Sequence, residues 1–124
     1  MKNRSVVYSV QAAGRGLVYA YMHEKNFRRE VYGVFLALSA LIFLGASIFD
    51  YVIVCLVIST VLIAEMINTA LERAVDIIKP HKHPYARVIK DLSAGFVLLS
   101  VVFAVIIGLM IYVPLLLDTI DTLI

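Results

Sequence analysis

Four polar side chains stand at intervals of three, four and four residues, beginning inside an apolar stretch: Glu65, Asn68, Glu72 and Asp76. At about 100° per helical residue they fall within an arc of roughly 80°, so they form one polar stripe. A carboxylate near the centre of a bilayer costs about 2.5–3.5 kcal/mol on insertion scales, so a ladder that starts among apolar residues calls for a compensating function. Three carboxylates and an amide are hard oxygen ligands, suited to a magnesium-bound phosphate ester at a membrane surface.

Phosphoryl transfer needs a metal clamp on the phosphates, a group to orient or deprotonate the attacking hydroxyl, and positive charge for the transferring oxygens. Glu24 and Glu72 are anionic donors suited to magnesium, and Lys90 is a cation within reach of a phosphate. Glu65, the deepest carboxylate, is placed to accept a proton from a lipid alcohol arriving from the bilayer. Asn68 lies one turn nearer the polar end and can both donate and accept in positioning a hydroxyl or a phosphate oxygen. Neither G-x-x-x-x-G-K-[ST] nor G-x-G-x-x-G occurs, so a nucleotide would be held without a P-loop or a protein-kinase glycine loop.

The elements that must position these groups are membrane helices. Of the 124 residues 62% are hydrophobic, and the mean hydropathy is +0.95, well above a soluble domain. The apolar runs predict spanning helices over 31–49, 51–71 and 92–117, the second only if it includes Glu65 and Asn68. Residues 1–30 predict a cytoplasmic amphipathic helix at the membrane surface, its pattern running over Ser5 to Asn26 and the stretch His23 to Glu30 bending into the first span, the whole chain forming one all-α integral membrane domain. The first run follows a polar segment without a small-residue cleavage site and reads as an anchor, not a signal peptide.

All 11 Lys and Arg residues precede the first run or lie between the second and third. The positive-inside rule therefore puts the N-terminus and the polar stripe on the cytoplasmic side of the membrane, facing ATP, with Asp50 in an outer turn. Net charge of +2 is accounted for by topology and anionic headgroups, and no nucleic-acid motif is present. Cys55 is a lone small hydrophobe. Prolines at 80 and 84 predict a turn, in which His81 and His83 read as loop residues. Three helices cannot surround the stripe on all sides, which predicts a homo-oligomer enclosing it between subunits.

The segment Ala64-Glu65-Met66-Ile67-Asn68-Thr69-Ala70-Leu71-Glu72-Arg73-Ala74-Val75-Asp76, with Glu24-Lys25-Asn26-Phe27-Arg28 before it and Lys90-Asp91 after it, resembles the prokaryotic diacylglycerol kinase family. The resemblance covers about Gln11 to Ser100 and rests on E-x-x-N-[ST]-A-x-E-x-x-x-D. It implies a homotrimer of three-span subunits with a surface helix, transferring the γ-phosphate of Mg-ATP to a membrane lipid alcohol. It further implies Glu65 as catalytic base, Glu24 and Glu72 as metal ligands, and Asn68, Asp76, Lys90 and Asp91 in the active site. Glu30 stands where the family often has a polar group. The family divides between diacylglycerol and undecaprenol. Ile67-Asn68-Thr69-Ala70, Glu24-Lys25-Asn26-Phe27 and His83-Pro84 resemble the undecaprenol branch, whereas Arg29-Glu30 resembles the other.

Simpler readings stand beside these. Glu72 and Asp76 fit a solvated helix end, Glu65 and Asn68 fit glue between helices, and Glu30 fits a surface pair with Arg28 or Arg29. A non-enzymatic alternative is a small ion- or proton-conducting oligomer lined by Glu65, Glu72 and Asp76. A pore needs polar groups along its whole length, however, and 51–64 offers only Ser59 and Thr60.

Overall fold

The computed structural model describes residues 6–78 and 83–124; the turn expected at Pro80, with His81 beside it, lies outside the described residues. Four helices follow one another: α1 (Val6–His23), α2 (Lys25–Phe43), α3 (Ile48–Ile78) and α4 (Pro84–Leu123). Packing is most extensive between α3 and α4, then between α2 and α3, with α1 resting on α2.

The bend expected between His23 and Glu30 falls at Glu24. Glu24 is extended (φ −104°, ψ 113°) and opens α2 as its N-cap, so Lys25–Glu30 form the first turns of the second helix. Side chains fix this corner. His23 stacks on Tyr19 with ring centres 4.3 Å apart, Arg28 donates to the Tyr21 carbonyl at 3.4 Å, and the Tyr21 and Tyr32 hydroxyls meet at 3.2 Å.

The apolar run 31–49, expected as one helix, is divided between two. Gly45 adopts φ +63°, a left-handed conformation that glycine reaches without steric cost. Around it Ala46 N–H donates to Leu41 O at 3.0 Å and Gly45 N–H to Ile42 O at 3.3 Å, the paired bonds of a Schellman stop. Ser47 and Asp50 then start α3. The Asp50 carboxylate accepts from Ser47 N–H at 2.8 Å and from the Ser47 hydroxyl at 2.6 Å, which is a capping box with aspartate in the acidic place. Asp50 is thus a helix-starting residue as well as a turn residue.

Among the described helices α3 and α4 are long and apolar enough to cross a membrane. Their 31 and 40 residues measure about 46 and 60 Å, more than the roughly 30 Å of hydrocarbon, so both must project beyond it. The third expected span, α2, is apolar only from Val31 to Phe43, because Arg28, Arg29 and Glu30 lie within the helix.

The outside of the molecule is largely apolar, and its few buried side chains are of both kinds. Among the described residues the buried hydrophobic side chains are Ala20, Phe27, Leu41, Val54 and Val75, and the buried polar ones are Glu65, Asn68 and Ser93. Leu36, Phe43, Phe49, Leu56, Leu98 and Met110 are exposed. Such a surface suits lipid or neighbouring apolar helices rather than water.

Candidate active site

Glu65 and Asn68 face the neighbouring helices because α3 carries them on the side that meets α2 and α4; they are 3% and 9% exposed. From Ile48, the start of α3, Glu65 lies about 26 Å along the axis, close to one bilayer thickness from the Gly45 turn. Glu72 and Asp76 continue the same face, one and two further turns toward the basic end.

The helices bring the acidic residues of α2 and α3 into one electrostatic neighbourhood. Glu24 and Glu72 both act on the Glu65 carboxylate, and the Asn26 side chain hydrogen-bonds it. Glu30, one residue before the apolar part of α2, also faces Glu65, and burial together with that like charge raises the Glu30 carboxyl to about 7. Its Oε2 is the fully buried side-chain oxygen without a hydrogen-bond partner among the described residues. A simple surface pair of Glu30 with Arg28 or Arg29 therefore does not describe it.

Cations flank the acids. Arg73 Nη2 contacts Glu24 Oε1 at 2.7 Å, joining α3 to the α1–α2 corner, and Lys90 Nζ of α4 contacts Asp76 Oδ1. Glu24 makes no cap bond to its own helix; its carboxylate is turned to α3 instead. Asp91, next to Lys90, is exposed. Asn68 is tied to α4 by the Ser93 hydroxyl, 2.7 Å from its Oδ1. Three participants had not been singled out from sequence: Asn26, Arg73 and Ser93. Each acts across a helix boundary, and only the i, i+3 and i, i+4 positions of one helix can be read from spacing.

Among the described residues no three His, Cys, Asp or Glu side chains gather into a self-sufficient metal cage. Two carboxylates are nonetheless what magnesium commonly takes from a protein, with phosphate oxygens and water completing the octahedron. Glu24 and Glu72, from different helices and both acting on Glu65, fit that donor set. His83, the N-cap of α4, stacks on Tyr85 at 5.7 Å, and it joins no such group.

Away from the acids the α3–α4 contact opens into an apolar groove of about 570 Å³ lined by Val57, Ile63, Ile67, Phe96, Leu99 and Phe103 among others. The hydroxyls of Ser59 and Thr60 are returned to their own helix, to Cys55 O at 2.7 Å and Leu56 O at 2.9 Å. That leaves no free polar lining on α3 toward the Gly45 end, which disfavours a conducting pore.

Comparison with known proteins gives a family match over residues 11–112, to prokaryotic diacylglycerol kinase. The chain is 36% identical over 102 residues to the undecaprenol kinase of Bacillus subtilis, covering 82% of this chain and 83% of that protein. It is 32% identical over 105 residues to a diacylglycerol kinase of Synechocystis, covering 84% of this chain and 60% of that protein. The diacylglycerol kinase of Escherichia coli is 32% identical over 100 residues, covering 78% of this chain and 82% of that protein.

Proposed function

The chain belongs to the prokaryotic diacylglycerol kinase family and is a lipid kinase, and from that premise we propose that it transfers the γ-phosphate of Mg-ATP to the hydroxyl of a membrane lipid alcohol. The observation that carries the reading is the buried Glu65, within electrostatic reach of Glu24, Glu30 and Glu72, with the Arg73–Glu24 and Lys90–Asp76 pairs toward the same end of α3. Isolated acids at a helix end repel one another and spread into solvent. Acids held together need a cation or a reaction.

Glu65 is the base. It lies where a lipid headgroup enters from the apolar side and takes the hydroxyl proton as the lipid oxygen bonds to the γ-phosphorus and the bond from that phosphorus to the bridging oxygen breaks, releasing ADP. Asn68 positions that oxygen, and Glu30 helps orient the acceptor. Glu24 and Glu72 would hold magnesium, which when bound neutralises the β- and γ-phosphate oxygens. Lys90, paired with Asp76, supplies positive charge to the phosphates, and Asp91 shares that end of the site. The α3–α4 groove accommodates the acceptor's hydrocarbon.

In this reading α2 enters the membrane at Val31, after the charged turn of Arg28, Arg29 and Glu30, and is the shortest of three spans. The charge distribution supports a cytoplasmic N-terminus and cytoplasmic acids in a bacterial cell. Three subunits associate through their exposed apolar faces and enclose the acids between them. Undecaprenol is the proposed acceptor, supported by the Ile67-Asn68-Thr69-Ala70 and His83-Pro84 forms and by similarity to the Bacillus subtilis enzyme. Purified protein incubated with γ-labelled ATP and magnesium in mixed micelles tests this directly. Label should enter undecaprenol in preference to diacylglycerol; preference for diacylglycerol reverses the substrate assignment, and label in neither overturns the kinase mechanism.

A further inference from the structure

Ser93 is the most completely buried polar residue among those described, 1% exposed, and sequence alone suggests nothing for it beyond a small surface for helix packing. Its hydroxyl lies 2.7 Å from Asn68 Oδ1 and 2.9 Å from the carbonyl of Lys90 on its own helix. One hydroxyl proton is thereby shared by two acceptors in a three-centre bond. The same turn of α4 therefore holds two groups of α3: Lys90 holds Asp76, and Ser93 holds Asn68.

A side-chain amide has two orientations related by a half-turn, and they exchange a carbonyl acceptor for two N–H donors. On a solvated surface water satisfies either one. Buried between two helices, the partner decides. A hydroxyl donating to Oδ1 pins the oxygen toward α4 and leaves both Nδ2 hydrogens for other acceptors. Alanine at position 93 would bury an unpaired amide oxygen and remove what distinguishes the two orientations, a loss concentrated on Asn68.

We propose that Ser93 is a positioning residue for phosphoryl transfer: it fixes the Asn68 amide across the α3–α4 contact so that the Nδ2 hydrogens are presented to the reacting oxygens. This rests on the kinase reading above, in which Asn68 touches substrate. Ser93 itself does not.

Steady-state kinetics in mixed micelles and a side-chain amide spectrum test it together. Ser93→Ala should lower kcat about five- to tenfold, in line with loss of one hydrogen bond to a buried group, while KM for ATP and for the lipid changes less than about twofold. In an Asn68→Ala background the same substitution should cost nothing further, because the group it orients is gone. The protein has three asparagines, Asn3, Asn26 and Asn68, so a ¹⁵N-asparagine spectrum is simple to assign by difference. Ser93→Ala should broaden or shift the Asn68 Nδ2 pair and leave the Asn26 pair in place. Ser93→Cys, nearly isosteric and still a weak donor, should fall between the two and serves if the alanine variant does not fold. An equal loss of kcat with and without Asn68, or an undisturbed Asn68 amide, overturns the proposal. If the unmodified protein is active and Ser93→Ala is equally active, the positioning role fails and the kinase reading stands. If the unmodified protein phosphorylates no lipid alcohol, both fail.

Discussion

At the scale of single residues, Glu65, Asn68, Glu72 and Asp76 act as one set because they share one helix, and helical geometry turns positions three and four apart to a common face. Glu24, Lys90 and Asp91 are recognisable by their place in a family pattern. Asn26, Arg73 and Ser93 are not, since their meaning comes from the residue opposite them on another helix. Glu30 shows the difference in physical terms: beside Arg28 and Arg29 in sequence it looks like a surface acid, but folding turns it toward Glu65 and buries one oxygen. Burial first, and the Glu65 charge second, raise it from an ordinary 4.5 to about 7. An acid with a raised native pKa takes up a proton on folding, so its contribution is full below pH 4.5 and is lost as pH rises through about 7. The melting temperature in detergent should accordingly fall across that window, and Glu30→Gln should flatten the fall. Parallel profiles for the two proteins would show that Glu30 is not the titrating group.

At the scale of elements, the all-helical character and the approximate places of the apolar segments follow from composition and run length. The division at Gly45 does not, because hydrophobicity continues from Val31 through Phe49 and hides the stop. The signals were present in the chemistry of the turn: a glycine after an apolar helix, then serine and aspartate three residues apart. No atom lies within 4 Å of a Cβ built on Gly45, so a substitution there meets only the cost of its positive φ. Gly45→Ala should therefore destabilise the protein by about 1–2 kcal/mol, read as a lowered melting temperature with no change in the lipid KM. Unchanged melting would mean that the reversal between α2 and α3 does not need a left-handed residue. The bend into the first span, by contrast, was expected between His23 and Glu30, and it falls at Glu24.

At the scale of the whole molecule, the exposed apolar surface and the buried polar trio agree with a subunit designed for lipid and for other subunits. The proposed orientation rests on the placement of Lys and Arg, and the proposed association on the small number of helices available to shield the acids. Native mass spectrometry from detergent should release three copies together, and Cys55, exposed on α3, gives a site for cross-linking; a stable active monomer would contradict the enclosed-site account. The central claim, that acids gathered at one end of α3 perform phosphoryl transfer with Glu65 as the base, has one most direct measurement: single-turnover transfer of labelled γ-phosphate to undecaprenol by Glu65→Gln beside the unmodified protein, with nucleotide-analogue binding followed in the same preparations. The account predicts transfer reduced at least about a hundredfold, within the range for loss of a general base, while assembly and nucleotide binding persist. Transfer at the unmodified rate by Glu65→Gln would contradict it.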